Sequence, residues 1–307
     1  MRRAAVIDLG SNSIKATVFD LSDRSEVARH AEQVRIFTSG PPDDRPPQAL
    51  IQEASEAVRR LVEFSRAHEA EKTVIVGTSA VRESSWASSL AARIKELTGL
   101  KLAVLSGESE ARIMARGVRN DRNYSGYPDL VAFDLGGGSL EFAQMKGARM
   151  VRALSLKLGS VRLTQGFLGD GEGRLSDLDI ASISSHVSSV MDKHLHPRMA
   201  DTHLVVGAGG AFNAIAMHLE AAGEPIQGGR IPVLRIRELQ QRLCGMGLDA
   251  RRAVPGIPAD RADIMPAALV TISTLASLCG AEAFHLTHHG VRHGMLDVLL
   301  SPEGALL

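Results

Sequence analysis

The sequence predicts an α/β protein made of two homologous halves, each opening on three antiparallel strands and continuing with alternating helices and strands. Three observations predict it. Short β-branched runs alternate with longer stretches of helical periodicity along the whole chain. The motif VIDLGSNSI at 6–14 returns as AFDLGGGSL at 132–140, setting Asp8 over Asp134, Leu9 over Leu135, Gly10 over Gly136, Ser13 over Ser139 and Ile14 over Leu140. A length of 307 residues, 44% of them hydrophobic, suffices for two cores. A repeat of so long a period is not a solenoid; it marks two related domains. The polar NDRNYSGYPD stretch sets the boundary, giving domains at 1–124 and 125–307, with the last helix free to pack back on the first.

In order, AAVIDL, IKATVFDL and VARHAEQVRI read as strands. The prolines of PPDDRPP at 41–47 mark a loop, after which Leu50, Ile51, Ala54, Val58, Leu61 and Val62 recur at helical spacing. TVIVG is a short buried strand, WASSLAARIKELTG a helix closed by Gly99, LAVL a strand, and Gly107 to about Val118 a helix. The second cycle repeats strand, turn and strand in LVAFDLGGGSLEFAQM and adds MVRALSLKL as its third strand. LVVGAGGAFNAIAMHL is a strand, a glycine turn and a helix. The charge-free run Ile264–Ala281 is about long enough to span a bilayer. Its four hydroxyl residues (Thr271, Ser273, Thr274, Ser277) and Pro266 just after the polar DRAD make it a buried core helix instead.

Composition excludes several function classes. The 35 basic and 35 acidic residues cancel, so no global field favours nucleic acid or a membrane surface. The cysteines, Cys244 and Cys279, have no metal spacing; free buried thiols suit a reducing, cytoplasmic setting. MRRAAVIDLG reaches an acid too early for a signal peptide, so the N-terminus is expected to be mature.

The chemistry lies in the turns. A turn of small residues between strands points several backbone N–H groups one way, and such a set binds phosphate without a charged side chain. Two matched turns, each with an acid one leucine upstream, can grip phosphoryl oxygens from both sides of a cleft, while Asp8 and Asp134 hold a hard divalent ion such as Mg²⁺. The third turn, with Gly207, Gly209 and Gly210, adds a helix N-terminus as an anion site; its spacing is not the dinucleotide fingerprint. His285, His288, His289 and His293 lack a metal spacing, and Lys193, His194, His196 and Arg198 read as a helix C-terminal charge set. The arginines at 112, 116, 119 and 122 read as a solvated face rather than a polyanion track, and by periodicity alone Glu110 belongs to that face.

VIDLGSNS, GTSAVRE, LSGESEARIMARG, VAFDLGGGSLEF, KLGSVRLT, VVGAGGAFNAIA, DRADIMPAAL and GVRHGML, in that order, resemble the exopolyphosphatase and guanosine pentaphosphate phosphohydrolase (Ppx/GppA) family of the actin and sugar-kinase superfamily. The resemblance implies two actin-like α/β domains with the active site in the cleft between them. It implies a phosphoanhydride hydrolase that uses Mg²⁺ or another divalent cation to remove the terminal phosphate of inorganic polyphosphate, or the 5′ γ-phosphate of guanosine pentaphosphate. Residue by residue, it makes Glu110 the water-activating base, with Glu141 helping to orient water or metal. Asp134 becomes the principal metal ligand and Asp8 a water-mediated one. Arg82 contacts phosphate, Gly10, Ser11, Asn12, Ser13, Gly136, Gly137, Gly138 and Ser139 cradle it, and Ser160 contacts it where relatives often have cysteine. The family's second acid, just before the base, is here Ser109, and Glu108 is the nearest substitute. The same cleft serves sugar kinases and other ATP users, or a non-catalytic phosphate sensor; these are the competing readings. The chain stops soon after GVRHGML, without the C-terminal domains of longer relatives. It is therefore expected to rely on the two-domain cleft, with a homodimer partner as a further option, and to favour shorter chains.

Overall fold

The computed structural model describes residues 2–37, 47–147, 149–197, 199–201 and 203–300. The fold is mixed α/β with two sheets, and it divides into two compact units. Unit 1 comprises the chain up to Asn120 together with the segment from His289; unit 2 runs from Asp121 to His288.

Unit 1 begins with β1 (Arg3–Leu9), β2 (Ile14–Asp20) and β3 (Glu26–Glu32), then α1 (Pro47–Ala67), β4 (Ala70–Gly77), the short α2 (Ser79–Arg82), α3 (Ala87–Thr98), β5 (Leu102–Val104) and α4 (Gly107–Arg119). Its sheet has the order β3-β2-β1-β4-β5, with β2 antiparallel to both neighbours and β4 parallel to β1 and β5. Ala4, Ala5, Val6 and Ile7 are all buried, so β1 has both faces covered, as a central strand between helical layers must. The apolar stripe of α1 (Leu50, Ala54, Val58, Leu61, Val62) is buried as its spacing predicts. The third strand is shorter than the sequence suggests. β3 ends at Glu32, and Val34, Ile36 and Phe37 leave the ladder to become buried beside the β1–β2 turn, where Phe37 N–H donates to Ser11 O (3.1 Å). Residues 41–46 of the proline-rich loop lie outside the described residues.

Unit 2 repeats the plan with β6 (Asp129–Leu135), β7 (Leu140–Lys146), β8 (Arg149–Leu156), α5 (Ser160–Leu168), α6 (Asp177–Met191), β9 (Leu204–Ala208), α7 (Gly210–Ala221), β10 (Arg230–Pro232), α8 (Val233–Cys244), α9 (Leu248–Arg252), α10 (Met265–Cys279) and β11 (Ala283–Leu286). The strand order is β10-β11-β9-β6-β7-β8, the unit 1 arrangement with one antiparallel edge strand added. β1 and β6 have the same burial pattern, in which the acid, Asp8 or Asp134, is the partly buried residue next to the last. α10 is buried on nearly every side, and its threonines are satisfied within the helix: Thr271 and Thr274 hydroxyls donate to the carbonyls of Ala267 and Val270 (2.8 and 2.7 Å). No helix among the described residues is long and apolar enough to cross a membrane. α6 ends at Met191, so Lys193, His194 and His196 follow the helix rather than forming its last turn; Arg198 lies outside the described residues.

The chain then returns to unit 1 as α11 (Val291–Leu300), which packs on α4. Two glycines permit the approach. A Cβ on Gly294 would stand 1.8 Å from Ile113 O, and one on Gly117 would stand 2.2 Å from Gly290 O.

Candidate active site

In both units the turn after the first strand closes the same way: Gly10 N–H donates to Ser13 O (3.2 Å) and Gly136 N–H to Ser139 O (3.0 Å). The first turn is braced from several directions. Thr78 donates to Leu9 O through its hydroxyl (3.0 Å) and its N–H (3.3 Å), Phe37 N–H holds Ser11 O, and Arg35 Nε donates to Asn12 Oδ1 (2.9 Å). Ser11, Asn12 and Ser13 are buried. Asn12 therefore has a bracing role that its place in the turn does not reveal.

Asp8 lies directly across the ladder from Lys15, which places both side chains on one face of the sheet. Arg292 of α11 approaches the same carboxylate, Nη1 to Oδ2 3.8 Å, and its Nε donates to Thr17 Oγ1 (2.9 Å). Burial pushes the Asp8 carboxyl up, and the charges of Arg292 and then Lys15 pull it down. Its Oδ1 is buried and without a hydrogen-bond partner.

Glu110 sits in the first turn of α4, whose N-cap Ser106 hydroxyl accepts the Ser109 N–H (3.1 Å). It does not belong to the solvated face: Glu110 is 4% exposed, while Arg112 and Arg116 are exposed. Arg82, the last residue of α2, donates through Nη1 to Glu110 Oε2 (2.6 Å) and to Leu105 O (2.9 Å). The structure thus brings together the two residues that GTSAVRE and LSGESEA nominated. Glu108 does not replace the missing second acid; its exposed side chain pairs with Arg112 one turn on (2.8 Å), and Ser109 bonds back to Ser106.

The second turn rests on the N-terminus of α5. Gly136 O accepts from the N–H (2.9 Å) and hydroxyl (3.2 Å) of Ser160, Gly137 O from Val161 N–H (2.9 Å), and Gly138 O from Arg162 Nε (2.8 Å). In a trans peptide the N–H points opposite to the C=O. Anchoring these three carbonyls on α5 therefore turns the N–H groups of Gly137, Gly138 and Ser139 away from the helix, as a set of donors. Gly159 must be glycine for this contact, since a Cβ there would lie 2.2 Å from Gly137 O. Ser160 is thereby a brace for the turn.

Asp134 and Glu141 are directly opposed on β6 and β7, so two carboxylates share one face, and Ser155 on β8 donates to Glu141 Oε1 (2.8 Å). Gly209 has φ +93°, and a Cβ on it would meet Asp134 Oδ1 at 2.4 Å and Leu135 O at 2.7 Å, so the third turn and the second acid touch. At Gly210 the same construction meets the Arg261 guanidinium at 2.2 Å, placing a cation at the start of α7. Gly207 differs from its neighbours. It lies under the Phe212 ring and answers to packing, not to an anion. Arg261, Arg292, Ser155 and Arg162 were not singled out by sequence reasoning. The three arginines do occur inside the DRADIM, GVRHG and KLGSVRLT motifs.

The donor set fits a hard divalent cation at Asp134 and Glu141. Two carboxylates opposed on one sheet face repel each other, and an oxygen-seeking ion offsets that. No three His, Cys, Asp or Glu among the described residues converge as a metal group. Both cysteines are buried and unpaired, with thiols pushed up to about 11 by burial.

A model of the Ppx/GppA phosphatase family matches residues 17–303. An uncharacterized protein of Streptomyces coelicolor is 26% identical over 300 residues, spanning 96% of this chain and 89% of that one. An exopolyphosphatase from Cytophaga hutchinsonii superposes with a TM-score of 0.84 at 22% identity, covering 97% of this chain and 98% of that one. A Ppx/GppA family member from Aquifex aeolicus gives 0.77 at 21% identity, with 97% and 98% covered. At such identities these structures speak for the fold, and the match from Thr17 onward speaks for the family. The chain belongs to the Ppx/GppA phosphatase family.

Proposed function

We propose that the protein is a divalent-metal-dependent exopolyphosphatase that hydrolyses the terminal phosphoanhydride of inorganic polyphosphate with water activated by Glu110. The observation that carries this reading is the buried Arg82–Glu110 contact of 2.6 Å. A guanidinium holds phosphoryl oxygens in a fixed fork, so a phosphoryl group held by Arg82 is brought beside the one carboxylate suited to be its base. Glu110 takes a proton from water as the water oxygen bonds to phosphorus, the bridging P–O bond breaks, and the shortened chain leaves as the anion. The N–H groups of the glycine turns, aimed by their anchored carbonyls, receive the charge on the phosphoryl oxygens. Asp134 and Glu141 would hold Mg²⁺, which would supply charge neutralisation at the phosphates. Arg261 at the start of α7 would receive a further phosphate. The free buried thiols accord with a cytoplasmic setting.

The test is phosphate release from short and long polyphosphate and from guanosine pentaphosphate, side by side, by wild type and Glu110→Gln. The reading expects release by wild type and a loss of about 10²–10⁴-fold in the variant, the usual contribution of a positioned base. Release from guanosine pentaphosphate alone would reassign the substrate. Equal release by both proteins would remove Glu110 from its role, and no release from any substrate would end the hydrolase reading. A steady rise of activity per chain end with polymer length would overturn the preference for short chains.

A further inference from the structure

The three successive glycines of the unit 2 turn, Gly136, Gly137 and Gly138, have no side chains to hold its shape. Glycine leaves each peptide plane free to face either way, and a plane that turns over presents a carbonyl oxygen where an anion needs an N–H. Such a turn serves phosphate only when something outside it fixes the planes. Main-chain groups of α5, which no substitution removes, fix the first two. Gly136 O accepts from Ser160 N–H (2.9 Å), and Gly137 O accepts from the N–H groups of Val161 (2.9 Å) and Arg162 (3.1 Å). The third is held by a side chain: Arg162 Nε donates to Gly138 O at 2.8 Å.

Arg162 therefore clamps two successive peptides, Gly137–Gly138 by its own N–H and Gly138–Ser139 by its guanidinium. The repeat shows what is particular to this bond. With Ser13 over Ser139, the turn position that matches Gly138 is Asn12, and it too receives an arginine, since Arg35 Nε donates to Asn12 Oδ1 at 2.9 Å. Both arginines follow the third strand of their unit. The Arg35 bond fixes a side chain. The Arg162 bond fixes a peptide plane, and with it the direction of the Ser139 N–H, which points opposite to Gly138 O.

We propose that Arg162 is a positioning residue for phosphate in unit 2: its Nε holds the Gly138–Ser139 peptide so that the Ser139 N–H stays aimed at the phosphoryl oxygens. This rests on the reading of the glycine turn as a phosphate site and adds a residue to it. In this scheme the guanidinium acts through the peptide and not by its charge on the substrate. Without it the Gly138–Ser139 plane is free to turn over, and an attraction for the anion becomes a repulsion.

The experiment uses the full chain and the variants Arg162→Gln, Arg162→Met and Arg162→Lys. The glutamine amide nitrogen occupies the same place along the side chain as the arginine Nε, so that variant keeps the donor and loses the charge. Methionine keeps the length and loses both, and lysine keeps the charge with its donors one atom further out. Two quantities are read: binding of tripolyphosphate in EDTA by calorimetry, well below the melting temperature of each protein, and kcat for phosphate release from short polyphosphate with Mg²⁺. Losing one donor to a developing oxyanion costs about 10²–10³ in kcat, so Arg162→Met should lose between about tenfold and that full factor, and should bind tripolyphosphate more weakly. Arg162→Gln should recover most of both losses, and more than Arg162→Lys does. Arg162→Gln no better than Arg162→Met would mean that the charge meets phosphate directly, and Arg162→Met equal to wild type would mean that the α5 main chain suffices; either result overturns the proposal. Tripolyphosphate bound in the expected order with no phosphate released would uphold Arg162 and end the hydrolase reading. A wild type that binds no tripolyphosphate would overturn the turn as a phosphate site and the proposal with it. Should Arg162→Met fail to fold, the order of the other two decides, and Arg162→Gln no better than Arg162→Lys refutes the role.

Discussion

Gly294→Ala tests whether α11 holds in place α4, the helix of the proposed base Glu110. The added Cβ would stand 1.8 Å from Ile113 O, whereas a carbon meets a carbonyl oxygen at about 3.3 Å, so α4 and α11 must part by about 1.5 Å. The nearest atoms are the carbonyl oxygen and carbon of Ile113, backbone of α4 that cannot swing aside as a flexible side chain would. Overpacking of this kind costs about 1–3 kcal/mol, or roughly 2–10 °C in Tm for a chain of this size. The functional consequence is larger in relative terms, because Glu110 lies one turn before Ile113 on the displaced helix, and a 1 Å misplacement of a catalytic group costs about 10²-fold. Calorimetry and phosphate release on the same preparations provide the assay. Gly166→Ala, at an exposed position in α5 with open space around it, is the control and should melt no lower than wild type. A Gly294→Ala protein with wild-type Tm would refute the packing argument. A lowered Tm with unchanged kcat would refute the link from α11 to the base.

Arg251→Met should be among the most destabilising single changes. Its guanidinium is fully buried and donates to Leu243 O (2.9 Å), Gly171 O (2.6 Å) and Gly173 O, so removal strands three carbonyls at once, and a loss of about 3–5 kcal/mol in chemical denaturation is expected. Glu26→Gln should show a pH signature. The hydrogen bond from His293 holds the Glu26 carboxyl below its ordinary value of 4.5, so its contribution is present above that pH and lost as pH falls through the lower folded value. The variant should melt below wild type at pH 7, and the gap should shrink as the pH falls below 4.5; a gap that stays constant through the acid limb would contradict this assignment.

Periodicity exposed most of the fold because the helices and strands are locally consistent: the α1 stripe, the buried, charge-free α10 and the Gly99 cap at φ +76° are all written in adjacent residues. The β1 and β6 motifs align in the structure as they do in the sequence, to the same hairpin register. What the sequence does not display is what long-range contacts decide. β3 stops early because Phe37 prefers the turn to the ladder, α9 and β10 are too short to carry a periodic pattern, and Arg251 ties α9 to Leu243 O. In the candidate site, Glu110 was legible through its motif, yet its burial depends on Arg82 from 28 residues upstream. Arg292, 284 residues from Asp8, could not be paired with it by spacing at all.

The two halves share a backbone and differ in charge, and that difference is the chemical content of the repeat. Across the first hairpin an acid faces a base, Asp8 and Lys15; across the second an acid faces an acid, Asp134 and Glu141. The first arrangement sets unlike charges opposite each other; the second sets like charges opposite each other, and this is the pair proposed above to hold Mg²⁺. Glu141→Lys imposes the first arrangement on the second hairpin. Opposed unlike charges contribute about 0.2–1 kcal/mol where like charges cost, so the metal-free variant should melt no lower than metal-free wild type provided the buried ammonium finds Asp134. The stabilisation that wild type gains from Mg²⁺, about 1.4 kcal/mol at tenfold excess over Kd, should vanish in the variant. If Mg²⁺ raised both Tm values equally, the ion would not sit at this pair, and the asymmetry of the halves would have to serve phosphate alone.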